Sequence, residues 1–388
     1  MTSMPDSIVT WWQLSRLNYL VKLSFESVPF YADLFQKFNI SPNTARLKGM
    51  SSLPIVTKAM LKASPLEKLI SNRINIESVD RVTTLRICRG DGIPFRLWQD
   101  KILQRGYQNL FRNFFSGKST ENQRFLIVTP IKRLQFFQKN VLFFPQTRFF
   151  KDKAGFLRIL QEFRPQQIAF ESLQALSHTA ELLSQKEPAG NLTVENVVGF
   201  LPSLVPTTRE KLNNMFGCRI FLAMYPFFHE VPFLGWECNE HDGFHLDQSS
   251  YIAEIVDKQG NPLGPGKRGR IVVTKLDNEV MPLVRYDTGD LGFLAERGCR
   301  CGNQSPRLFI ETHSNVTALD FSRLGSVLAY YHSAVEKFEI VQDGNSLNIN
   351  ILPGRSWNDA FLEHLKGSLH KEFGGNLINT RITIKYDP

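Results

Sequence analysis

Apolar residues recur at helical spacing from residue 11 to 40, in WWQLSRLNYLVKLSFESVPFYADLFQKFNI. Pro29 divides this stretch into two predicted helices. From 124 to 150 the pattern shortens to apolar runs broken by polar residues (RFLIVTP, VLFFP, TRFF), which predicts strands between loops. A helix GFLRILQEF, a strand PQQIAFE and a second helix SLQALSHTAELLSQ follow, the last with Ser172 as its expected N-cap. The alternation continues through VENVVGFLP, the helix TTREKLNNMFG closed by Gly217, and the strand CRIFLAMY. Strands alternating with helices imply an α/β layered domain with a parallel sheet.

After about residue 230 the period shifts to that of strands. SYIAEIVD, KRGRIVVTKL and MPLVRY are joined by Gly, Pro and Asn turns and predict a β-rich lobe. The last segment, 311–388, reads as a small α+β unit. It has a hairpin KFEIVQDGNSLNINILP turning at Asp343-Gly344-Asn345 and a helix SWNDAFLEHLKGSLHKEFGG between Ser356 and Gly374, and it ends in a strand TRITIKYD. The fold class is therefore α/β: a large multi-lobed N-terminal domain, 1–310, with layered sheets, helices and a β-rich lobe, then a small α+β domain, 311–388.

A chain of 388 residues is too long for one ordinary core, and 42% hydrophobic with 21% charged residues makes it globular. Its 31 Phe predict an aromatic-rich core. No run reaches the roughly 20 apolar residues of a membrane helix. The N-terminus, with an early Pro and Asp, does not have the form of a signal peptide. A cytoplasmic protein without a membrane role is the expectation. The formal charge of +9 favours anionic partners such as CoA, a nucleotide or an acidic carrier protein. Lys and Arg are spread along the chain without a nucleic-acid motif, so no nucleic-acid partner is expected. Five cysteines, an odd number, argue against a disulfide framework and for metal binding by the clustered ones.

Those clusters are specific. Cys238 and His245 lie in ECNEHDGFHL, and Cys299 and Cys301 follow about sixty residues later, flanked by Gly298 and Gly302. Three thiolates and one imidazole make a closed tetrahedral set that selects zinc, in a structural role because no coordination position stays open. His241 competes with His245 for the fourth position, and the alternative is a buried apolar Cys238 with an incidental C-x-C. Just before the second cluster stands Arg285-Tyr286-Asp287-Thr288-Gly289-Asp290. Asp290 reads as a carboxylate behind a Gly turn after an apolar strand, able to accept both hydroxyls of a ribose.

The R-Y-x-T-G-D run followed by C-x-C-G resembles the adenylate-forming ligases, in their phenylacetate–CoA ligase-like branch. Val28-Pro29-Phe30-Tyr31 and Leu53-Pro54-Ile55-Val56-Thr57-Lys58 resemble the N-terminal helices of the same family, and 311–388 resembles its mobile C-terminal domain. The resemblance implies a protein that handles an aromatic or fatty acyl carboxylate as a CoA or carrier-protein thioester, with ATP and Mg²⁺ in the adenylation step. It also implies zinc at the Cys/His clusters, since some members carry one at the matching places.

Several motifs depart from the family pattern. Its phosphate loop T-S-G-T-T-G-x-P meets Arg86–Pro94, where Gly90, Gly92 and Pro94 remain while the hydroxyl positions hold Ile87, Cys88 and Asp91. Gly90 and Gly92 are the nucleotide-loop candidates, and an ordinary Gly turn is the alternative. Its Y-G-x-T-E motif meets residues 225–230, where Tyr225 offers a face for adenine, Phe228 and His229 replace Thr and Glu, and Glu230 reaches a metal only with a one-residue shift. A lone Glu there is otherwise a surface residue. The family hinge meets residues 309–315 without its Arg and Asp, and Lys385 lies in a strand pattern. These changes leave two further readings open. In one, the protein moves an acyl group between CoA and an acyl carrier protein without ATP, with His229 as general base on the incoming thiol, the alternative for His229 being a core residue of an aromatic cluster. In the other it is a non-catalytic relative.

Overall fold

Pro29 sits at the start of a helix, where its missing N–H costs nothing, and the extended Val28 before it separates Trp11–Ser27 from Pro29–Lys37. This is the two-helix reading of the sequence. The computed structural model describes residues 11–41, 50–73, 81–84, 95–98, 123–129, 140–146, 152–184, 193–201, 204–224, 230–231, 233–313, 328, 334–343, 346–354, 357–373 and 380–384. By internal contacts the chain divides into two units, 1–117 with 224–315, and 118–223 with 316–388. The architecture is mixed α/β, with a parallel and an antiparallel sheet.

In chain order, the strands begin with an antiparallel ribbon of β1 (Arg81–Thr84) and β2 (Phe95–Trp98). The second unit then holds a fully parallel sheet, β3 (Phe125–Thr129), β4 (Val141–Pro145), β5 (Gln167–Phe170), β6 (Asn196–Gly199) and β7 (Ile220–Leu222), ordered β4-β3-β5-β6-β7. Helices Lys153–Phe163, Leu173–Ser184 and Pro206–Phe216 connect these strands, as alternation predicts. Their ends follow local chemistry. Asp152 accepts from the Gly155 N–H at 2.7 Å, Ser172 Oγ accepts from Ala175 N–H at 3.3 Å, and Gly217 closes its helix at φ +68°. The core is aromatic, with Phe144 on Phe156 at 5.0 Å and Phe170 on Phe216 at 6.2 Å.

The first unit holds the antiparallel sheet β10-β11-β12-β13-β9-β8, built from β8 (Gly235–Trp236), β9 (Phe244–Leu246), β10 (Tyr251–Val256), β11 (Gly269–Lys275), β12 (Leu283–Leu294) and β13 (Arg307–His313). The two N-terminal motifs fasten onto it. Tyr31 donates its hydroxyl proton to the Pro282 carbonyl at 3.0 Å and accepts from the Val284 N–H at 2.9 Å. Val56 forms a parallel bridge with Tyr286, giving its N–H to the Arg285 carbonyl and its carbonyl to the Asp287 N–H, both at 2.9 Å. Gln13 Nε2 donates to the Tyr251 carbonyl at 2.9 Å.

The chain ends in β14 (Val335–Asp343) paired antiparallel with β15 (Ser346–Pro353), which pairs in parallel with β16 (Thr380–Ile384). Helix Asp359–Phe373 covers this sheet over a core of Leu328, Val335, Ile349, Ile351, Leu365 and Leu369. The expected hairpin and final strand are present, whereas Gly344, Asn345, Ser356, Gly374 and Lys385 lie outside the described residues. Among the described residues no helix is long and apolar enough to cross a membrane.

Candidate functional site

Strand β12 carries the 285–290 run, and two bulges shape it. The register steps from Val273↔Tyr286 to Lys275↔Leu283, which leaves one extra residue on β12. Arg285 takes this position at φ +47°, a conformation costly for a side chain with a Cβ. Its hydrogen bonds hold it there. The backbone N–H donates to Thr274 Oγ1 at 3.0 Å, and Nε donates to Glu254 Oε2 at 3.0 Å. Nη1 donates to the Leu53 and Ser51 carbonyls at 2.6 and 3.2 Å, and Nη2 to the Gly260 carbonyl at 3.0 Å. Both members of the Arg285–Glu254 pair are buried. Burial holds the Glu254 carboxyl above its ordinary value, and the guanidinium offsets only part of that rise.

The second bulge is wider. Val272 pairs with Asp287 and Arg270 with Leu291, so Thr288-Gly289-Asp290 stands opposite Ile271 alone. Gly289 supplies φ +77°. Thr288 Oγ1 donates to the Ile271 carbonyl at 3.1 Å and accepts from the Asp290 N–H at 3.2 Å, while Asp287 pairs with Arg270 at 2.5 Å. The sequence reading of a turn after the strand is therefore corrected: β12 runs through the bulge and pairs on to Leu294. Asp290 is fully buried within it, opposite His313 on β13. Two residues on, Gly292 lies against the Phe309 backbone carbonyl, where a Cβ would collide.

The ligand atoms of Cys238, His245, Cys299 and Cys301 all lie within 4.8 Å of one another. Cys238 Sγ is 3.6 Å from Cys299 Sγ, and Cys301 Sγ is 3.3 Å from His245 Nε2. Zinc–sulfur bonds of about 2.3 Å in a tetrahedron put sulfurs about 3.7 Å apart, so the donor set fits zinc. Supporting contacts point the same way. The Glu240 and Asn303 N–H groups donate to the Cys238 and Cys301 sulfurs, each at 3.4 Å. His245 Nδ1 lies 3.3 Å from the Ser305 carbonyl, and donating its proton there would leave the Nε2 lone pair facing Cys301. Burial holds the His245 imidazole below its ordinary value, against the Ser305 carbonyl and with the Arg307 charge. Burial also pushes the Cys238 thiol up to about 12. At Cys299 burial opposes ionisation, but the Cys301 N–H and the neighbouring thiols hold this group below its usual value. His241 turns instead to Glu237, with Nδ1 3.2 Å from Oε2. The structure thus gathers His245, not His241, with the three cysteines.

Glu230 is buried at 1% exposure, with Lys58 Nζ 3.2 Å from its carboxylate. This corrects the alternative of a surface Glu. It also gives the Leu53–Lys58 motif a second attachment beside the Val56 bridge. The 309–313 stretch is strand β13, with Glu311 paired to Arg268 at 2.7 Å. Gly90, Gly92, Tyr225 and His229 lie outside the described residues. Arg285 and Lys58 are the residues whose roles sequence reasoning missed. The R-Y-x-T-G-D and L-P-I-V-T-K motifs flag both positions without stating their partners.

No family model matches the chain. It is 31% identical over 153 residues to a phenylacetate–coenzyme A ligase of Thermus thermophilus, an alignment covering 39% of this chain and 34% of the relative. It is 23% identical over 310 residues to a phenylacetate–coenzyme A ligase of Escherichia coli, covering 72% and 65%. The chain thus spans about a third of the first relative's length and just under two thirds of the second's. Among solved structures it superposes on 2-hydroxyisobutyryl-CoA ligase in the postadenylation state with TM-score 0.73, at 17% identity over 98% of this chain and 87% of that one. The anthranilate CoA ligase AuaEII in complex with anthranoyl-AMP matches with TM-score 0.55, at 13% identity over 96% and 77%. The solved structures establish the fold, that of the adenylate-forming CoA ligases they belong to, and over part of its length the chain is similar in sequence to two phenylacetate–coenzyme A ligases.

Proposed function

We propose that the protein is a phenylacetate–CoA ligase-like enzyme that converts an aromatic or fatty acyl carboxylate to its CoA thioester through an acyl-adenylate. The observation that carries this reading is the Arg285–Asp290 run on β12. Two bulges and a five-bond Arg285 anchor fix that segment, and its carboxylate is Asp290. In this reading Asp290 takes the ribose hydroxyls of the nucleotide, and Tyr225, Gly90 and Gly92 complete its site. Zinc at Cys238, His245, Cys299 and Cys301 braces the connection from β8 to β9 against the loop before β13. Segment 311–388 serves as the small C-terminal domain, a reading supported beyond β13 by the core of Leu328, Val335, Ile349, Ile351, Leu365 and Leu369. The protein works in the cytoplasm on dissolved CoA.

ATP–pyrophosphate exchange across a panel of aromatic and fatty acids tests the reading. Exchange with one class of acid is the expected result. Acyl transfer from CoA to a carrier protein in the absence of ATP would establish the ATP-free alternative, with His229 as its base. Neither exchange, transfer nor ligand binding would leave the non-catalytic relative.

A further inference from the structure

We propose that Cys238 and Cys299 are a thiol–disulfide pair through which low-molecular-weight disulfides switch the Cys/His centre between a metal-held and a covalently held state. The geometry selects this pair. Its sulfurs are 3.6 Å apart on segments 61 residues apart in sequence, whereas the Cys301 thiol, which touches both, also has His245 Nε2 at 3.3 Å to hold it. A disulfide needs about 2.05 Å, so the sulfurs must close by roughly 1.5 Å. The turn bearing Cys299 is open on its glycine sides, since a Cβ built on Gly298 or on Gly302 would meet nothing within 4 Å. Cys299 is part-exposed and open to a small oxidant.

The step balances as two thiol–disulfide exchanges. The Cys299 thiolate attacks one sulfur of a disulfide such as oxidised glutathione and expels one glutathione thiolate. Cys238, giving its proton to the departed glutathione thiolate, then attacks the Cys299 sulfur of the mixed disulfide and expels the second. Two protein thiols are oxidised, one glutathione disulfide is reduced, and two thiols leave. Any zinc loses two of its four ligands, and the remaining Cys301 and His245 are too few to retain it. A reducing thiol reverses both exchanges. The metal-release half rests on the zinc reading, while the disulfide half stands without it.

The test treats the full chain, as purified, with millimolar oxidised glutathione and maps its peptides without reduction. A chromogenic chelator follows zinc in the same sample. The expected product is one cross-link between the Cys238 and Cys299 peptides, with Cys301 and Cys218 still alkylated. Cys218 is not one of the four clustered ligands, and burial pushes its thiol up to about 11. One zinc is released per cross-link, and added thiol restores both starting states. The C301S variant keeps the cross-link, and C299S abolishes it. A cross-link through Cys301, or zinc release with all thiols still alkylated, would overturn the proposal, as would an unreacted Cys238–Cys299 pair. A cross-link in a protein that never held zinc would overturn the zinc reading alone.

Discussion

Replacing Arg285 with Met removes the guanidinium at the first bulge of β12 and leaves a side chain of similar length. Four hydrogen bonds disappear, to Glu254, Leu53, Ser51 and Gly260. The largest consequence is Glu254, buried at 1% exposure and deprived of its partner cation. Removing one member of a buried ion pair costs about 3–5 kcal/mol, because the remaining charge is uncompensated. In a domain of roughly 150–250 residues each kcal/mol moves Tm by about 2–4 °C, so Tm should fall by roughly 6–20 °C. Thermal unfolding followed by circular dichroism measures the fall. The R285M/E254Q double variant removes the orphaned charge as well and should recover part of it. The single variant's loss should also shrink at lower pH. With Arg285 gone, burial alone raises the folded-state pKa of Glu254 above its unfolded value. Stability from such a group is present below the unfolded pKa and is lost as pH rises through the folded one. An R285M Tm within about 2 °C of wild type, or a double variant no better than the single, would refute the assignment of Arg285 as the anchor of this sheet.

Three further outcomes follow from the same structure. Gly292→Ala drives a Cβ into the Phe309 carbonyl, and urea unfolding should show a loss of about 1–3 kcal/mol, the usual cost of overpacking. Cys301→Ser should lower bound zinc well below one per chain by elemental analysis, while His241→Gln leaves it unchanged, since His241 faces Glu237. The folded-state pKa of His245 lies below its unfolded value of about 6.5, so its contribution is present above that pH and lost as pH falls through the lower value. Zinc retention needs the same neutral imidazole and should fall in the same direction, which dialysis across pH 7.5 to 5 followed by metal analysis would record.

Elements with local chemistry were legible in the sequence. Pro29, Ser172 and Gly217 mark helix ends because each satisfies or ends a helix with its own atoms. The Cys/His cluster was legible for another reason: thiols and imidazoles are rare, and their glycine-flanked spacing suits few other purposes. Long-range devices were hidden. An Arg at positive φ has no local signature, and Arg285 holds that conformation through partners at Ser51, Leu53, Glu254 and Gly260. Gly289 reads as a turn, yet β11 and β13 pair with β12 beyond it and convert the turn into a bulge. Glu230 looked like a surface residue because its partner, Lys58, lies in a distant motif read only for its resemblance. The two N-terminal motifs make sense once both are seen to fasten onto β12.

Nucleotide binding tests the central claim most directly, because it needs no knowledge of the acid. Thermal shift with AMP and with ATP/Mg²⁺ should show stabilisation of the wild-type protein, since a ligand that binds only the folded state raises its Tm. Asp290→Asn, which keeps the side-chain shape and removes the charge, should lose most of that shift. Absence of stabilisation by either nucleotide at millimolar concentration, or an equal shift in Asp290→Asn, would contradict the assignment of β12 as the nucleotide strand.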